Sequence, residues 1–524
     1  MKKQIIIDVH HEQIRVAFME DEDLVEIYIE DTDNQRIVGN IYRGKVTNVL
    51  PGMQAAFVDI GLEKNAFLYA GDINTDKSVF EFAGSSSKLA EGLQNLSIRD
   101  LLKEGQELTV QVLKEPMGTK GARVSTHITL PGRYLVLMPT VNYIGVSRRI
   151  EDEAERQRLR EIAEQIKPET MGLIVRTAAF QKESKDFQPD IDFLVKLWSK
   201  IKDKEQQKGR VPRLLHKDES IIYRTVRDLF TGDVDKLVIN NYEEYKKILE
   251  WIDIISPALK DRVEYYQQNR SIFEVYGIED KIEKAIQKKV WLKNGGYLII
   301  DPTEALTVID VNTGKYVGGV NLEETVLNTN LEAAEEIARQ IRLRDIGGII
   351  IIDFIDMSSE EHRQRVIDVL KSALKKDRTK TNVLGFTGLG LVEMTRKKVR
   401  NRLTHSLLKP CPYCSGTGKV YSESMVLAKL EKELERMARD QGLYGILVEI
   451  HPAVARLWME EDGRGLEILE SALNSRILLR MNSSMHVEDA NVLPIRSHEE
   501  AEEIVSMLED TVYTTGFDLS RTTS

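Results

Sequence analysis

Leu306-Thr307-Val308-Ile309-Asp310-Val311-Asn312 and Gly348-Ile349-Ile350-Ile351-Ile352-Asp353-Phe354 decide how this chain is read. Each is an apolar, β-branched run that closes on an acid, which predicts a buried strand whose carboxyl end meets solvent. Asn328 to Leu343 carries helical spacing between them, and Gly296-Tyr297-Leu298-Ile299-Ile300 adds a third strand. Helices are expected over Ile282 to Lys289 before this region and Ser359 to Lys376 after it, which makes it an α/β unit. Neighbouring strands lie about 4.8 Å apart, so Asp310 and Asp353 can converge on one ion. Asn312, two residues along the same strand, faces the same side as Asp310. Oxygen ligands that leave waters in place suit magnesium, and manganese accepts the same donors. Phosphodiester hydrolysis needs such a centre, because the metal neutralises developing charge and acidifies bound water. On spacing alone the same acids also read as caps or solvated turns. Asp345 and Asp356 are expected to cap helices or form salt bridges.

Downstream, Thr395 to Leu408 reads as a basic helical stretch, with Arg396, Lys397, Lys398, Arg400 and Arg402 concentrating positive charge beside the acids. About half of these side chains read equally as a solvated face. Next comes Cys411-Pro412-Tyr413-Cys414-Ser415-Gly416-Thr417-Gly418, a zinc-knuckle pattern of two thiolates on a tight turn. Structural zinc wants four ligands, and the chain has two cysteines in all. Either His405 or another histidine completes the site, or a second chain donates its own pair. A redox pair would open a helix, whereas glycines follow here. A small α/β segment fills the remainder, frayed after Phe517.

Upstream, Gln4 to Val9, Ile14 to Phe18 and Leu24 to Ile29 read as strands too few for a core of their own. From about residue 37, closely spaced strands (Ile41 to Val46, Ala55 to Gly61, Ala66 to Leu68, Leu108 to Val112) have the rhythm of a five-stranded barrel, with Thr75 to Arg99 as a mobile insertion. Strands follow at Tyr134 to Met138 and Gly172 to Arg176, with a charged helix over Glu151 to Ile166 between them. Ile191 to about Asn269 reads as mostly helical, with one strand at Lys236 to Ile239. Phe57 and Phe67 fit either base stacking or barrel core, and Lys45, Lys114 and Lys120 are candidate phosphate contacts. Arg176-Thr177 offers a guanidinium fork and a hydroxyl, which suit a terminal phosphate.

At 524 residues several domains are expected. The net charge of −11 excludes a protein that coats nucleic acid by bulk electrostatics, so any RNA must lie in a locally basic groove. No apolar run is long enough to span a bilayer, and Asp8 follows Ile5 to Ile7 too soon for a signal peptide. With so few cysteines, a reducing cytoplasm is the expected compartment.

Ile309 to Gly314, Asn328 to Ala334, Ile337 to Gln340, Arg342 to Asp345 and Gly347 to Met357 together closely resemble the catalytic core of the ribonuclease E/ribonuclease G family. Gly39 to Gly44, Ala55 to Gly61, Tyr134 to Val136 and Arg176-Thr177 carry the likeness over nearly the whole chain, and residues 50–57 and 391–397 look most like the ribonuclease G side. The resemblance implies a multidomain α/β and α+β protein. It would have a split RNase H-like domain (1–36 and 218–285) into which an S-one type oligonucleotide-binding (OB) barrel (37–125) is inserted. A 5′-sensor region (126–217), a DNase I-like catalytic domain (286–400), a zinc link (401–418) and a small dimerisation domain (419–524) would follow. It implies magnesium-dependent cleavage of single-stranded RNA, in rRNA precursors and mRNA, leaving 5′-phosphate and 3′-hydroxyl ends. Asp310 and Asp353 would ligate magnesium with Asn312 assisting, and Cys411 and Cys414 would share zinc between two chains of a homodimer, which could pair into a tetramer. Phe57, Phe67 and Lys114 would contact RNA. Gly132, Val136, Arg176 and Thr177 would hold a 5′-monophosphate, helped by Lys380 where ribonuclease E has arginine; lysine keeps the charge but not the bidentate geometry. No membrane and no small-molecule cofactor are expected. The competing class is a non-catalytic RNA-binding or ribosome-assembly protein, for which strand-end carboxylates would have no purpose.

Overall fold

The computed structural model describes residues 2–31, 36–73, 97–116, 120–314, 322–400, 402–439, 443–508 and 512–514. Most of the expected insertion over Thr75 to Arg99, and the expected fraying after Phe517, lie outside these residues. The chain forms two compact units, Met1–Ser406 and Leu407–Ser524.

In the first unit, the strands Lys3–His10, Gln13–Glu20 and Asp23–Asp31 make an antiparallel meander. Its sheet is completed from far away in sequence, by Lys236–Ile239 pairing parallel to Lys3–His10 and by Val263–Tyr265 beyond it. Ile5, Ile7, Phe18, Leu237 and Ile239 pack there against the helices Ile221–Asp228 and Tyr242–Ile255. The region around them, expected to be mostly helical, therefore holds two further short strands, Arg213–His216 and Val263–Tyr265.

Five strands close into an OB-like barrel: Ile41–Leu50, Ala55–Asp59, Ala66–Tyr69, Arg123–Ser125 and Glu107–Lys114, with the last pairing back onto the first. Val46, Ala56, Val58, Leu68, Val110 and Val124 alternate inward to fill it. At Gly44 a Cβ would lie 2.8 Å from both Val58 Cγ1 and the Asp59 carbonyl, so only glycine permits this closure. Arg213–His216 adds a sixth strand outside Ile41. A four-stranded sheet containing Leu135–Met138 and Gly172–Val175 packs on the helices Glu153–Ile166 and Ser184–Gln206.

The remaining sheet runs Lys289–Trp291, Tyr297–Pro302, Leu306–Asn312, Gly348–Asp353, Leu391–Arg396, Thr381–Phe386. Its central pair is parallel, and the helix Leu322–Leu343 is the crossover between them. Ile309, Val311, Ile350, Ile352, Val392 and Met394 face a core with Ala334, Ile337 and Ile341 of that helix and Val366 and Leu370 of Glu360–Leu374. Each fully buried large apolar side chain contributes roughly 1.5–3 kcal/mol. One face of the sheet is thus committed to helices, and the acids occupy the other.

Two expectations are corrected here. Ile282 to Lys289 is not one helix: Ile278–Ile286 is helical and Lys289–Trp291 is an edge strand. Thr395 to Leu408 is not a basic helix either. Leu391–Arg396 is a strand and only Leu403–Leu407 is helical, because pairing with Gly348–Asp353 outweighs local propensity. Arg396 is only 4% exposed. It donates from Nε to Asp377 Oδ2 at 2.7 Å and from Nη1 to Asp345 Oδ1 at 2.6 Å. Arg400 pairs with the other Asp345 oxygen at 2.8 Å and lies over the Tyr28 ring, and Arg402 donates to Thr307 at 2.9 Å. Three of the five basic side chains thus hold the fold together, while Lys397 and Lys398 are exposed.

In the second unit, Gly445–Ile450 and Arg476–Met481 pair in parallel across the helix Pro452–Leu473, flanked by Ala490–Ile495 and Val512–Thr514. Leu430 and Leu434 of Glu423–Met437 join Ile446, Val448, Trp458 and Ile477 in its core. No described helix is long and apolar enough to cross a membrane.

Candidate active site

The parallel pairing sets Asp310 and Asp353 directly side by side, as the last register partners of their strands. Asn312 donates from Nδ2 to Asp310 Oδ2 at 2.8 Å, which fixes that carboxylate. Buried Asn330 steadies the chain just beyond Asp353, its amide donating to the Ile355 carbonyl at 2.8 Å and its oxygen accepting from the Ile355 amide at 3.1 Å. Burial, then the negative charges of Asp310 and Asp356, hold the Asp353 carboxyl above its usual range. Among the described residues no cation pairs with Asp310, Asp353 or Asp356. Two unneutralised carboxylates one strand apart, on an open sheet face, fit a hard divalent cation. Nor do the described residues hold a group of three or more His, Cys, Asp or Glu side chains able to bind a metal, so an ion here would keep waters exchangeable for a phosphate oxygen.

A second constellation gathers at the four-stranded sheet. Arg176, 28% exposed, donates from one guanidinium nitrogen to the Gly132 carbonyl and pairs through Nη2 with Asp228 Oδ1 at 2.7 Å. Thr177 Oγ1 lies 2.8 Å from Ser147 Oγ, and half-buried Val136 pairs with Ile174 next to the Leu135–Val175 rung. Sequence reasoning missed two residues of this cluster. Asp190 accepts from the backbone amides of Arg133, Tyr134 and Leu135 at 2.9–3.0 Å, and a Cβ at Gly132 would collide with its carboxylate. Asp228 is the anion that Arg176 already holds. Burial raises its carboxyl, but the hydrogen bond and charge of Arg227, followed by Arg176, bring it below the usual range. Lys380 is exposed at the start of Thr381–Phe386 in the acid-bearing sheet, and no hydrogen bond or ion pair among the described residues joins it to Arg176.

On the barrel, Phe57 and Phe67 are cross-strand partners in a T-shaped contact with centroids 6.1 Å apart. Their neighbours Ala56, Val58, Ala66 and Leu68 are the buried ones, so both rings lie on the outer face and neither is core. The same row continues through Arg123, the register partner of Phe67, to exposed Lys114. Arg123 was not singled out from sequence; Asp72 holds it at 2.6 Å. Lys45 is exposed with acids as both register partners, Asp59 and Glu107, and Lys120 is exposed.

In the second unit, Ser415, Gly416 and Gly418 adopt left-handed backbone and wrap the chain around Cys414. The Gly418 amide donates to Cys414 Sγ at 3.3 Å, and this bond, then that of Gly416, lowers the thiol below its usual range. A cysteine sulfur favoured in this way toward its deprotonated form suits zinc. The nearby histidine, His486, has both ring nitrogens engaged, Nε2 with the Tyr413 carbonyl at 2.6 Å and Nδ1 with the Glu488 amide at 3.1 Å.

A profile of the Ribonuclease E/G family matches residues 129–399. The chain is 41% identical over 496 residues to Ribonuclease G of Escherichia coli (strain K12), covering 94% of this chain and 100% of that protein. It is 43% identical over 492 residues to Ribonuclease G of Haemophilus influenzae, covering 94% and 99% respectively. Ribonuclease E of Escherichia coli (strain K12) is 36% identical over 512 residues, which is 97% of this chain but 47% of that protein.

Proposed function

This chain belongs to the ribonuclease E/G family and is an endoribonuclease, and from that premise we propose that it cuts single-stranded RNA with magnesium at Asp310 and Asp353. The observation that carries this reading is the register pairing of those two acids beside Asn312, with no described cation to neutralise them. Magnesium bound there would supply charge neutralisation at phosphorus and an acidified water. Asn312 orients Asp310 through its amide, and Asn330 holds the segment after Asp353 in place. Phe57 and Phe67 take bases on their exposed faces, where stacking tolerates any sequence, and Lys114 takes a phosphate. The products carry 5′-phosphate and 3′-hydroxyl ends, and the substrates are rRNA precursors and mRNA in the cytoplasm.

A 5′-monophosphate is sensed at Arg176 and Thr177, on a floor made by Gly132 and Val136. The support is Arg176 itself, whose fork is already turned toward an anion, Asp228. Lys380 remains the weakest member of the set, since nothing in the described residues draws it to that pocket. Cys411 and Cys414 hold half of a zinc site, completed by the same pair from a second protomer in a two-fold dimer. His486 gives no support to a single-chain alternative, its ring nitrogens being occupied. Metal analysis should find about half a zinc per chain by this four-thiolate logic, and a full equivalent on a monomer would contradict the shared site.

The test is cleavage of a single-stranded RNA carrying a 5′-monophosphate, triphosphate or hydroxyl. Magnesium-dependent internal cleavage, fastest for the monophosphate, is expected. Binding without cleavage would favour a ribosome-assembly role, and equal rates on all three ends would remove the sensor.

A further inference from the structure

The acid-bearing face of the central sheet does not end at Asn312. Tyr297 is the register partner of Asn312, and Trp291 is the register partner of Tyr297, so the three side chains share one face of three successive strands. Lys289, two residues from Trp291, lies on that face in the row of Ile299, Asp310 and Asp353. Val290, between them, turns the other way and packs against the core. Trp291 is 64% exposed on an edge strand, meets Tyr297 edge-on at 5.4 Å, and buries little that would explain its presence. The Lys289 ammonium sits 4.0 Å from the Trp291 ring centroid and 3.8 Å from that of Tyr297, and among the described residues no carboxylate neutralises it.

We propose that Trp291, Tyr297 and Lys289 form a second RNA subsite, which stacks an unpaired base on Trp291 and holds the adjoining phosphate at Lys289. The proposal rests on the nuclease reading for its ligand, since the platform continues the surface that presents Asp310 and Asn312. Two strand spacings separate Trp291 from Asn312, about 10 Å, so the stacked base lies a few nucleotides from the bond being cut. The chemistry selects the occupant: a flat aromatic face next to an unneutralised cation suits a planar base that carries its own anion. A duplex hides the faces of its bases, so the subsite would favour single strands.

The experiment uses the full-length protein and a 5′-monophosphorylated single-stranded oligoribonucleotide with one cleavage site, in which abasic nucleotides are walked outward from that site. Trp291→Ala is expected to raise KM roughly 5- to 150-fold, the fold equivalent of one lost stacking contact, with a smaller change in kcat. Trp291→Phe should keep most of the affinity. One abasic position should weaken the wild type strongly and cost Trp291→Ala almost nothing. Binding of the same oligonucleotides is measured in parallel in an Asp310→Asn background, with and without Trp291→Ala, so that the platform is judged by affinity whether or not cleavage occurs. Absence of cleavage by the wild type would count against the nuclease reading alone. An unchanged affinity and KM in Trp291→Ala, with every abasic penalty preserved, would overturn the subsite.

Discussion

Two pairs of aspartates flank the same central strand, Gly348–Asp353, and their surroundings could hardly differ more. Before it, Asp345 and Asp377 close on the guanidinium of Arg396, and Arg400 takes the remaining Asp345 oxygen. At its far end, Asp310 and Asp353 sit side by side, and the side-chain partner of the pair among the described residues is the neutral Asn312 amide on Asp310. The first pair is a finished electrostatic unit and belongs to the scaffold. The second is unfinished, and the positive charge it lacks is what an arriving cation would supply. What distinguishes a ligand site from a brace is therefore the compensation around the acids, not the acids themselves.

The largest expected effect comes from breaking the brace. Arg396→Ala leaves Asp345 and Asp377 buried without their cation, and should destabilise the fold by about 3–5 kcal/mol in denaturant unfolding. A loss below 1 kcal/mol would mean that this pair, too, is uncompensated in practice.

Arg176, the proposed 5′-phosphate sensor, lies between the two extremes, partly exposed with one aspartate already in its grip. Arg176→Ala should lose most of the preference for 5′-monophosphorylated RNA, roughly tenfold or more for a charge-assisted bidentate contact. The rate on 5′-hydroxyl RNA should stay nearly unchanged. Asp228→Asn sharpens the comparison, since it frees the guanidinium and should tighten monophosphate binding, read as a lower KM for that substrate alone.

The smallest effect concerns stability at the uncompensated pair. Because Asp353 titrates above its usual range in the folded protein, its contribution is fully present below the unfolded value and is lost as pH rises through the folded value. Asp353→Asn should therefore raise the melting temperature of metal-free protein slightly at neutral pH and leave it unaltered at low pH. Magnesium should raise the melting temperature of the wild type and not of the variant. A variant destabilised at neutral pH would show the acids to be compensated after all.

Much of this contrast was legible in the sequence, for identifiable reasons. Gly348–Asp353 was readable to its end residues because a continuous β-branched run stops at an acid. Phe57 fits either base stacking or barrel core from sequence, and only the burial of Ala56 and Val58 on either side turns it away from the barrel. The brace was legible only at Asp345, which reads as a cap or salt-bridge residue. Arg396 sits in a run of cations that looks solvated, and its two partners lie elsewhere in the chain. Asp190 was equally hidden, since a carboxylate that accepts three backbone amides leaves no pattern in its own neighbourhood. Lys289–Trp291 is too short to carry a period, so Lys289 reads as the end of the preceding helix and the strand goes unmarked.

Asp310 is the residue on which the proposed metal centre depends most directly. Single-stranded 5′-monophosphorylated RNA is incubated with wild type or Asp310→Asn, each with magnesium and with EDTA, and both proteins are melted to verify their folds. The wild type should cut only with magnesium, and Asp310→Asn should bind the RNA yet cut it at least 100-fold more slowly, beyond the roughly 10- to 100-fold typical of outer-shell changes at metal sites. Cleavage by Asp310→Asn at the wild-type rate, or by the wild type in EDTA, would contradict the claim that this acid pair holds the catalytic metal.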